Sequence, residues 1–348
     1  MRNWKICILI LLFAVTFSSC KKGDTEQKKF YNADNIEESI KFKRFDIALF
    51  SKPKTTLQEH LITLQKDYPD MFQMPLSNKE YMEMLMSIVM DDNMQMAQNI
   101  VEKEFANLDF LSKDLTSAFA RLKDIYPNTS LPKNVYTLIL GGADYSYGYA
   151  NRVYMNDSLY YTISLDVYAL KQLANHPYYK QYPEYMRKGL GKEFIATDFM
   201  RMYLLNKTFM NTPLKSFESN ASLLDCIIED GKFSFFIQKL LPNYALNTIL
   251  NYDAEQMQWV ENNESNIWAY IIQNKLLYDT DRSKYLSLIS IGPESKGLHG
   301  SPARVGNYIG YKIVESFMKE NKIGLDSLMK IEDNQLILQQ SKYKPTKK

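Results

Sequence analysis

The sequence has few of the residues from which catalytic and metal sites are most often built. Only three histidines, three cysteines and 13 glycines occur among 348 residues. His60, His176 and His299 lie far apart along the chain, and no His-Glu-x-x-His motif occurs. A three-histidine zinc site would require all of them to converge. We therefore predict no metal and no cofactor, and we regard His299, in a polar Gly- and Pro-containing stretch, as the histidine best suited to a functional role.

Other catalytic signatures are also missing from the sequence. It has no Gly-x-Ser-x-Gly elbow, no Walker loop, no dinucleotide-binding fingerprint and no Cys-x-x-Cys pair. The scarcity of glycine favours a helix-rich chain over a many-turned β-sandwich. Cys226 lies in the apolar run 223–228 without a nearby histidine. We expect it to be a buried, inert thiol rather than a nucleophile.

The first twenty residues have the pattern of a bacterial lipoprotein signal. Arg2 and Lys5 are basic, residues 6–17 are apolar, and Phe-Ser-Ser-Cys at 17–20 matches a cleavage site that ends in cysteine. Diacylation of Cys20, with palmitate among the acyl chains, would anchor the protein to a membrane. An ordinary secretory signal is the alternative, since Phe17 stands where such sites usually have leucine. A retained transmembrane helix is disfavoured because about a dozen apolar residues do not span a bilayer core of about 30 Å.

The charge balance excludes one class of partner. Loss of Arg2 and Lys5 with the signal reduces the 42 basic residues to 40, which equals the number of acidic residues. A formally neutral mature chain without a long basic cluster is not expected to bind nucleic acid, because phosphate binding requires a net basic face.

The remaining pattern predicts one α+β domain. We predict a signal peptide at 1–19, a polar tether at 20–38 and a helix-rich domain at 39–348, with a small mixed or antiparallel sheet between two helical halves. A short strand is predicted within 40–50, and the main strands are predicted at 135–140, 145–149, 152–155 and 159–165. Helices are predicted at 55–67, from 77 through 89, and at 93–107, 112–125, 166–174, 195–207, 221–241, 254–277, 302–320 and 325–331.

Two further features bear on packing and binding. Gly306 and Gly310 are four residues apart in a helical pattern, which indicates close approach to a neighbouring element. Tyrosines recur along the predicted sheet and could line a binding cleft, although core packing is their more common use; these are Tyr145, Tyr147, Tyr149, Tyr154 and Tyr160.

Glu229 and Asp230 interrupt an otherwise apolar helix. A carboxylate at such a position must be exposed, paired or bound to a ligand, because burying it unpaired costs several kcal/mol. One interpretation is a solvated face on which Glu229 pairs with Lys232 at i,i+3 spacing. The other is a functional acid.

An ordered set of short blocks gives a more specific signal. The blocks include Leu-Asp-Val-Tyr at 165–168, Tyr-Pro-Glu-Tyr-Met at 182–186, Ile-Glu-Asp-Gly-Lys at 228–232, Leu-Leu-Pro at 240–242, Ile-Trp at 267–268, Gly-Pro at 292–293, the segment 297–318 and Ser-Lys-Tyr-Lys-Pro at 341–345. Together they resemble the gliding motility lipoprotein GldB family of Bacteroidetes, from about residue 42 to 345.

That family is distantly similar to zinc metallopeptidases of the zincin type, which implies a zincin-like fold. By this resemblance the metal-binding helix falls at 197–201, with Glu229 as the later acid. Thr197 and Arg201 cannot replace imidazole ligands, and Asp198 is shorter than the usual general-base glutamate. Arg201 is expected to pair with Asp198 or Glu229 in a degenerate cleft that also contains Thr197 and His299.

The resemblance implies an envelope lipoprotein that serves gliding motility and associated secretion. We expect a non-catalytic scaffold or accessory subunit, anchored to the membrane through Cys20 and assembled into an envelope protein complex. Lys21 and Lys22 follow the cysteine where an acidic export cluster would stand, so we expect the protein to face the periplasm. The alternatives are a metallopeptidase with ligands rearranged among His299, Glu229 and Asp198, and a lipoprotein that binds glycans or peptides.

Overall fold

A mixed β-sheet lies between two helical parts of the chain. The computed structural model describes residues 38–129, 131–141, 152–156, 160–187, 191–207 and 214–346. Within this part of the chain the sheet has four strands in the order β1-β2-β4-β3; they are β1 (Phe42–Lys43), β2 (Val135–Leu138), β3 (Val153–Asn156) and β4 (Tyr160–Ser164).

The two central strands contain β-branched and aromatic residues that are largely buried, as expected for parallel strands covered on both faces. β2 pairs in parallel with β1 and with β4, and the register places Val135 opposite Tyr161. β3 adds an antiparallel edge, with Val153 opposite Ile163. The prediction of a helix-rich α+β fold with a small mixed sheet is confirmed.

Helices before and after the sheet form most of the described structure. The first group is α1 (Phe45–Phe50), α2 (Leu57–Asp67), α3 (Lys79–Met90), α4 (Asp92–Glu104) and α5 (Asp109–Ile125). The second group is α6 (Glu184–Arg187), α7 (Ile195–Lys207), α8 (Leu223–Leu240), α9 (Leu246–Ile249), α10 (Ala254–Asn262), α11 (Glu264–Gln273), α12 (Arg282–Tyr285), α13 (Val305–Asn321), α14 (Leu325–Lys330) and α15 (Asn334–Ser341). Short 3₁₀ turns occur at Lys54–Thr56, Pro69–Met71, Leu165–Ala169, Lys192–Phe194, Lys215–Phe217 and Leu286–Leu288.

Several predicted elements differ from the structure. The strand predicted within 40–50 is only two residues long and is followed by α1, in which Phe45 is buried against Tyr68 and Phe72. The predicted 254–277 helix is two helices, because the backbone N–H of Asn263 bonds the carbonyls of Trp259 and Val260 and ends α10. The predicted 166–174 helix is a 3₁₀ turn, α15 was not predicted, and the strand predicted at 145–149 lies outside the described residues.

Helices α8 and α13 pack against each other with their backbones in contact. A Cβ atom on Gly310 would overlap the carbonyl oxygen of Ile227, and one on Gly231 would overlap the backbone at Gly310. The two backbones therefore touch at this crossing, which only glycine allows. Gly306 approaches Leu288 and Ile227 in the same way. The predicted close approach of Gly306 and Gly310 to a neighbour is confirmed.

This helix pair lies within one extended hydrophobic core. The core reaches from Ile40 to Ile337 and includes the inner faces of α5, α7, α8 and α13. A smaller cluster joins α2 and α3 around Leu61, Leu64 and Tyr81. Residues Ile36–Lys348 belong to one compact unit.

In the described ranges, no helix combines the length and hydrophobicity needed to cross a bilayer. The predicted signal, Cys20 and most of the tether precede those ranges.

Candidate functional site

Helix α7 carries three of the predicted site residues on buried positions. Thr197, Asp198 and Arg201 are 3%, 1% and 6% exposed. The Thr197 hydroxyl donates to the carbonyl of Phe194 at 2.8 Å, one turn earlier. Its hydrogen bond is therefore local to the start of the helix.

Asp198 is the centre of a buried polar network. One carboxylate oxygen accepts from Tyr168 Oη at 2.9 Å and from Arg152 Nη1 at 3.2 Å. The other accepts from Asn251 Nδ2 at 3.1 Å. Asn251 has a left-handed backbone, with φ at 61°, and its carbonyl accepts from Arg304 Nη2 at 2.6 Å. The network thus joins α7 to the start of β3, the turn after β4 and two loops in the second helical part.

Arg201 pairs with Asp230 and not with Asp198 or Glu229. Its Nη1 lies 2.9 Å from Asp230 Oδ1, and its Nη2 donates to Ser234 Oγ at 2.8 Å. The expected partner was wrong by one residue of α8. One residue turns a side chain by about 100° around a helix, so Asp230 faces α7 where Glu229 does not.

Glu229 lies in a second buried cluster. Its two carboxylate oxygens accept from the backbone N–H groups of Lys215 and Ser216 at 3.0 and 2.9 Å. Asn334 Nδ2 on α15 lies 3.4 Å away. Glu229 is only 6% exposed, so the interpretation of a solvated face was wrong. The physical reason is that α8 is covered on nearly every side, with fourteen of its eighteen residues buried.

Lys232 belongs to the same cluster and is 5% exposed. Its ammonium donates to the carbonyl of Ile331. Burial lowers the pKa of Lys232 to about 8, and the charge of Glu229 partly offsets this effect. The cluster is a set of mutually compensating buried charges.

His299 does not join the other predicted residues. Its side chain is fully exposed, and its Nδ1 lies 3.9 Å from Glu294 Oε2. A single cleft formed by Asp198, Arg201, Glu229 and His299 is therefore not present, because the acidic residues face the core and His299 faces solvent. Within the described ranges, no three His, Cys, Asp or Glu side chains lie close enough together to hold one metal ion.

Asp166, which was not among the predicted site residues, lies two positions after the end of β4. Its carboxylate accepts from the backbone N–H groups of Leu140 and Gly141 at 2.9 and 3.1 Å, and from Tyr179 Oη at 2.7 Å. Parallel β2 and β4 end at the same sheet edge, so an acid after one strand reaches the backbone after the other. The position of an aspartate immediately after a predicted strand was the available signal.

Only two of the five tyrosines that were suggested to line a cleft lie within the described residues, so the suggestion remains a prediction for the other three. Tyr145, Tyr147 and Tyr149 lie outside the described residues. Tyr154 is 47% exposed at the sheet edge, and the ring of Tyr160 packs edge-on against that of Tyr136 at 6.0 Å.

A separate cleft of about 580 Å³ lies where α6, the first turns of α10 and the 293–302 loop meet. This volume is within the usual range of ligand pockets. Its lining combines carboxylates, aromatic rings and small residues; it consists of Glu184, Tyr185, Glu255, Gln256, Trp259, Pro293, Glu294, Gly300, Ser301 and Pro302.

The cleft wall is held by internal hydrogen bonds. The backbone N–H of Ser295 donates to Ser301 Oγ at 3.1 Å, and the Ser295 hydroxyl lies 3.0 Å from the carbonyl oxygen of Pro302. Tyr252 Oη donates to the carbonyl of Arg304 at 2.8 Å. Together with the Arg304–Asn251 bond, these contacts tie the loop to the segment before α10, and through Asn251 to Asp198.

A family model described as "Gliding motility protein GldB" matches residues 26–345. The chain belongs to the GldB family. The match covers nearly all of the described structure as well as part of the predicted tether. No curated protein and no solved structure matches the chain.

Membership in the GldB family connects the chain with gliding motility and with lipoproteins of the cell envelope. The family resemblance inferred from the ordered sequence blocks is thereby confirmed.

Proposed function

We propose that this member of the GldB family is a non-catalytic scaffold or accessory subunit of an envelope complex that serves gliding motility or the associated protein secretion. In this proposal Cys20 is diacylated after removal of residues 1–19, and the domain faces the periplasm of a Bacteroidetes cell. The domain would be a zincin-like fold whose catalytic positions have become structural.

One observation supports the non-catalytic role most strongly. Asp198, Arg201 and Glu229 are buried and are each bonded to partners within the protein. A catalytic acid or cation must reach substrate, whereas these groups hold α7, α8 and the surrounding loops together. Buried charges in such networks stabilise one arrangement of the chain when every member is satisfied.

A combined metal and cleavage assay tests the absence of catalysis. The full-length protein, purified in detergent without chelator, is analysed for metals by plasma mass spectrometry and then incubated with a mixed peptide library and added Zn²⁺. We expect no stoichiometric metal and no new peptide products. Metal-dependent cleavage that is lost in a folded Glu229→Gln variant would contradict the proposal.

Complementation tests the envelope role. In cells that lack the native protein, wild type is expected to restore surface spreading or secretion, whereas Cys20→Ser is expected to remain soluble and to restore neither. A membrane fraction that still contains the Cys20→Ser variant would show that lipidation is not the anchor.

A further inference from the structure

The cleft beside α10 differs in charge from the rest of the protein. Glu255 and Glu294 contribute exposed carboxylates to its lining, and none of the described lining residues is Lys or Arg. The chain as a whole has nearly equal numbers of acidic and basic residues. Two exposed carboxylates at one concavity therefore favour a cationic ligand there, which the composition of the whole chain does not predict.

Aromatic rings stand beside these carboxylates. Trp259 and Tyr185 line the same cleft and are both half-buried. The faces of Trp and Tyr attract ammonium and guanidinium groups by cation–π interaction, and Trp does so best. Carboxylates and ring faces thus favour the same class of ligand, an organic cation.

The volume of the cleft indicates the size of that ligand. No three acidic, His or Cys side chains of the described chain converge closely enough for one metal ion. The space available to a ligand beside Glu255 and Glu294 is instead about 580 Å³. A peptide segment that carries more than one Lys or Arg side chain has this extent.

The 293–302 loop itself holds the wall of the cleft in shape. Gly300 has a φ of +73°, a conformation that a residue with a side chain rarely adopts, and the adjoining Ser301 is fixed by its bond to Ser295. A pre-formed wall lowers the entropy cost of binding.

We propose that this cleft binds a Lys- and Arg-containing segment of a partner protein. The biological role rests on the proposed function as an assembly subunit, and the binding itself does not. Glu255 and Glu294 supply the ion pairs, and Trp259 supplies the ring surface.

Fluorescence anisotropy with two labelled peptides tests the proposal. The first peptide has four arginines spaced by glycine and serine, and the second has citrulline at those positions, which retains the size but not the charge. Full-length protein in nonionic detergent is expected to bind the arginine peptide and not the citrulline peptide, with weaker binding at high salt. The double variant Glu255→Gln/Glu294→Gln is expected to bind about tenfold more weakly, as for the loss of two partly screened ion pairs.

The matched control is Glu83→Gln/Glu102→Gln, which makes the same change in net charge at exposed positions on α3 and α4. It is expected to bind like wild type. Equal binding of both peptides, or equal weakening in both double variants, would overturn the proposal. So would selective binding of a neutral oligosaccharide at the cleft, because ring stacking alone would then select the ligand.

Mass spectrometry of the peptide after each titration separates this proposal from the proposed function. An intact peptide that does not bind contradicts only the cleft assignment. A peptide that is bound and cleaved contradicts the non-catalytic role and leaves the binding site supported.

Discussion

Replacement of Glu229 by glutamine tests whether this buried acid is structural or catalytic. The carboxylate accepts from two backbone N–H groups, those of Lys215 and Ser216, one on each oxygen. Glutamine retains one carbonyl oxygen but turns an NH₂ group toward the other donor. It also removes the negative charge that partly offsets the burial of Lys232.

The expected loss follows from these two changes. A hydrogen bond to a charged acceptor contributes about 1.5–3 kcal/mol, and a buried donor left unsatisfied adds to its loss. Breaking a compensated buried charge cluster costs about 3–5 kcal/mol in measured cases. Since Lys232 keeps its bond to Ile331, we expect Glu229→Gln to lower the free energy of unfolding by about 2–4 kcal/mol.

Urea unfolding of the full-length protein in nonionic detergent, followed by tryptophan fluorescence, measures this loss. The matched control is Glu102→Gln on α4, which is exposed and is expected to change stability by less than about 0.5 kcal/mol. A Glu229→Gln variant as stable as wild type, or more stable, would refute the structural assignment. Unchanged or increased stability is the result expected when the replaced residue served activity at a cost in stability.

Two further outcomes are expected from the same unfolding assay. Gly310→Ala should lower the free energy of unfolding by about 3 kcal/mol or more, because the added Cβ would overlap the Ile227 carbonyl. The control, Gly324→Ala, has no atom within 4 Å of the added Cβ and should change the free energy of unfolding by less than about 0.5 kcal/mol. Equal effects of the two substitutions would contradict the close crossing of α8 and α13. Because folding lowers the pKa of Lys232 from 10.5 to about 8, the cost of burying its charge is fully present below pH 8 and is relieved as the pH rises. The free energy of unfolding of wild type minus that of Lys232→Met should therefore increase by about 2 kcal/mol between about pH 7 and pH 9.5. A difference that stays constant or decreases over this range would show that Lys232 stays charged in the folded protein.

Local sequence patterns predicted much of the secondary structure. Helix α7 occupies the predicted residues, and β2, β3 and β4 lie within or next to the predicted strands, because hydrophobic periodicity reflects which face is buried. The low glycine content agreed with a helix-rich chain, and the spacing of Gly306 and Gly310 agreed with a close helix contact. The ordered blocks identified the family.

The partners of the charged residues were decided by the tertiary structure alone. Sequence spacing on α8 could not show whether Glu229 or Asp230 faces α7, since this depends on the rotation of one helix against another. Nor could it show that Asn251 contacts Asp198 across 53 positions of the chain.

The cleft beside α10 was likewise decided by the tertiary structure. Glu184, Glu255 and Glu294 come from three separate segments, and each alone reads as an ordinary exposed glutamate. The family and most helices and strands could be predicted from the sequence, because they depend on local patterns and on the order of residues along the chain. Only the fold determined which charges are buried together and which meet at one surface, because those depend on the packing of distant segments.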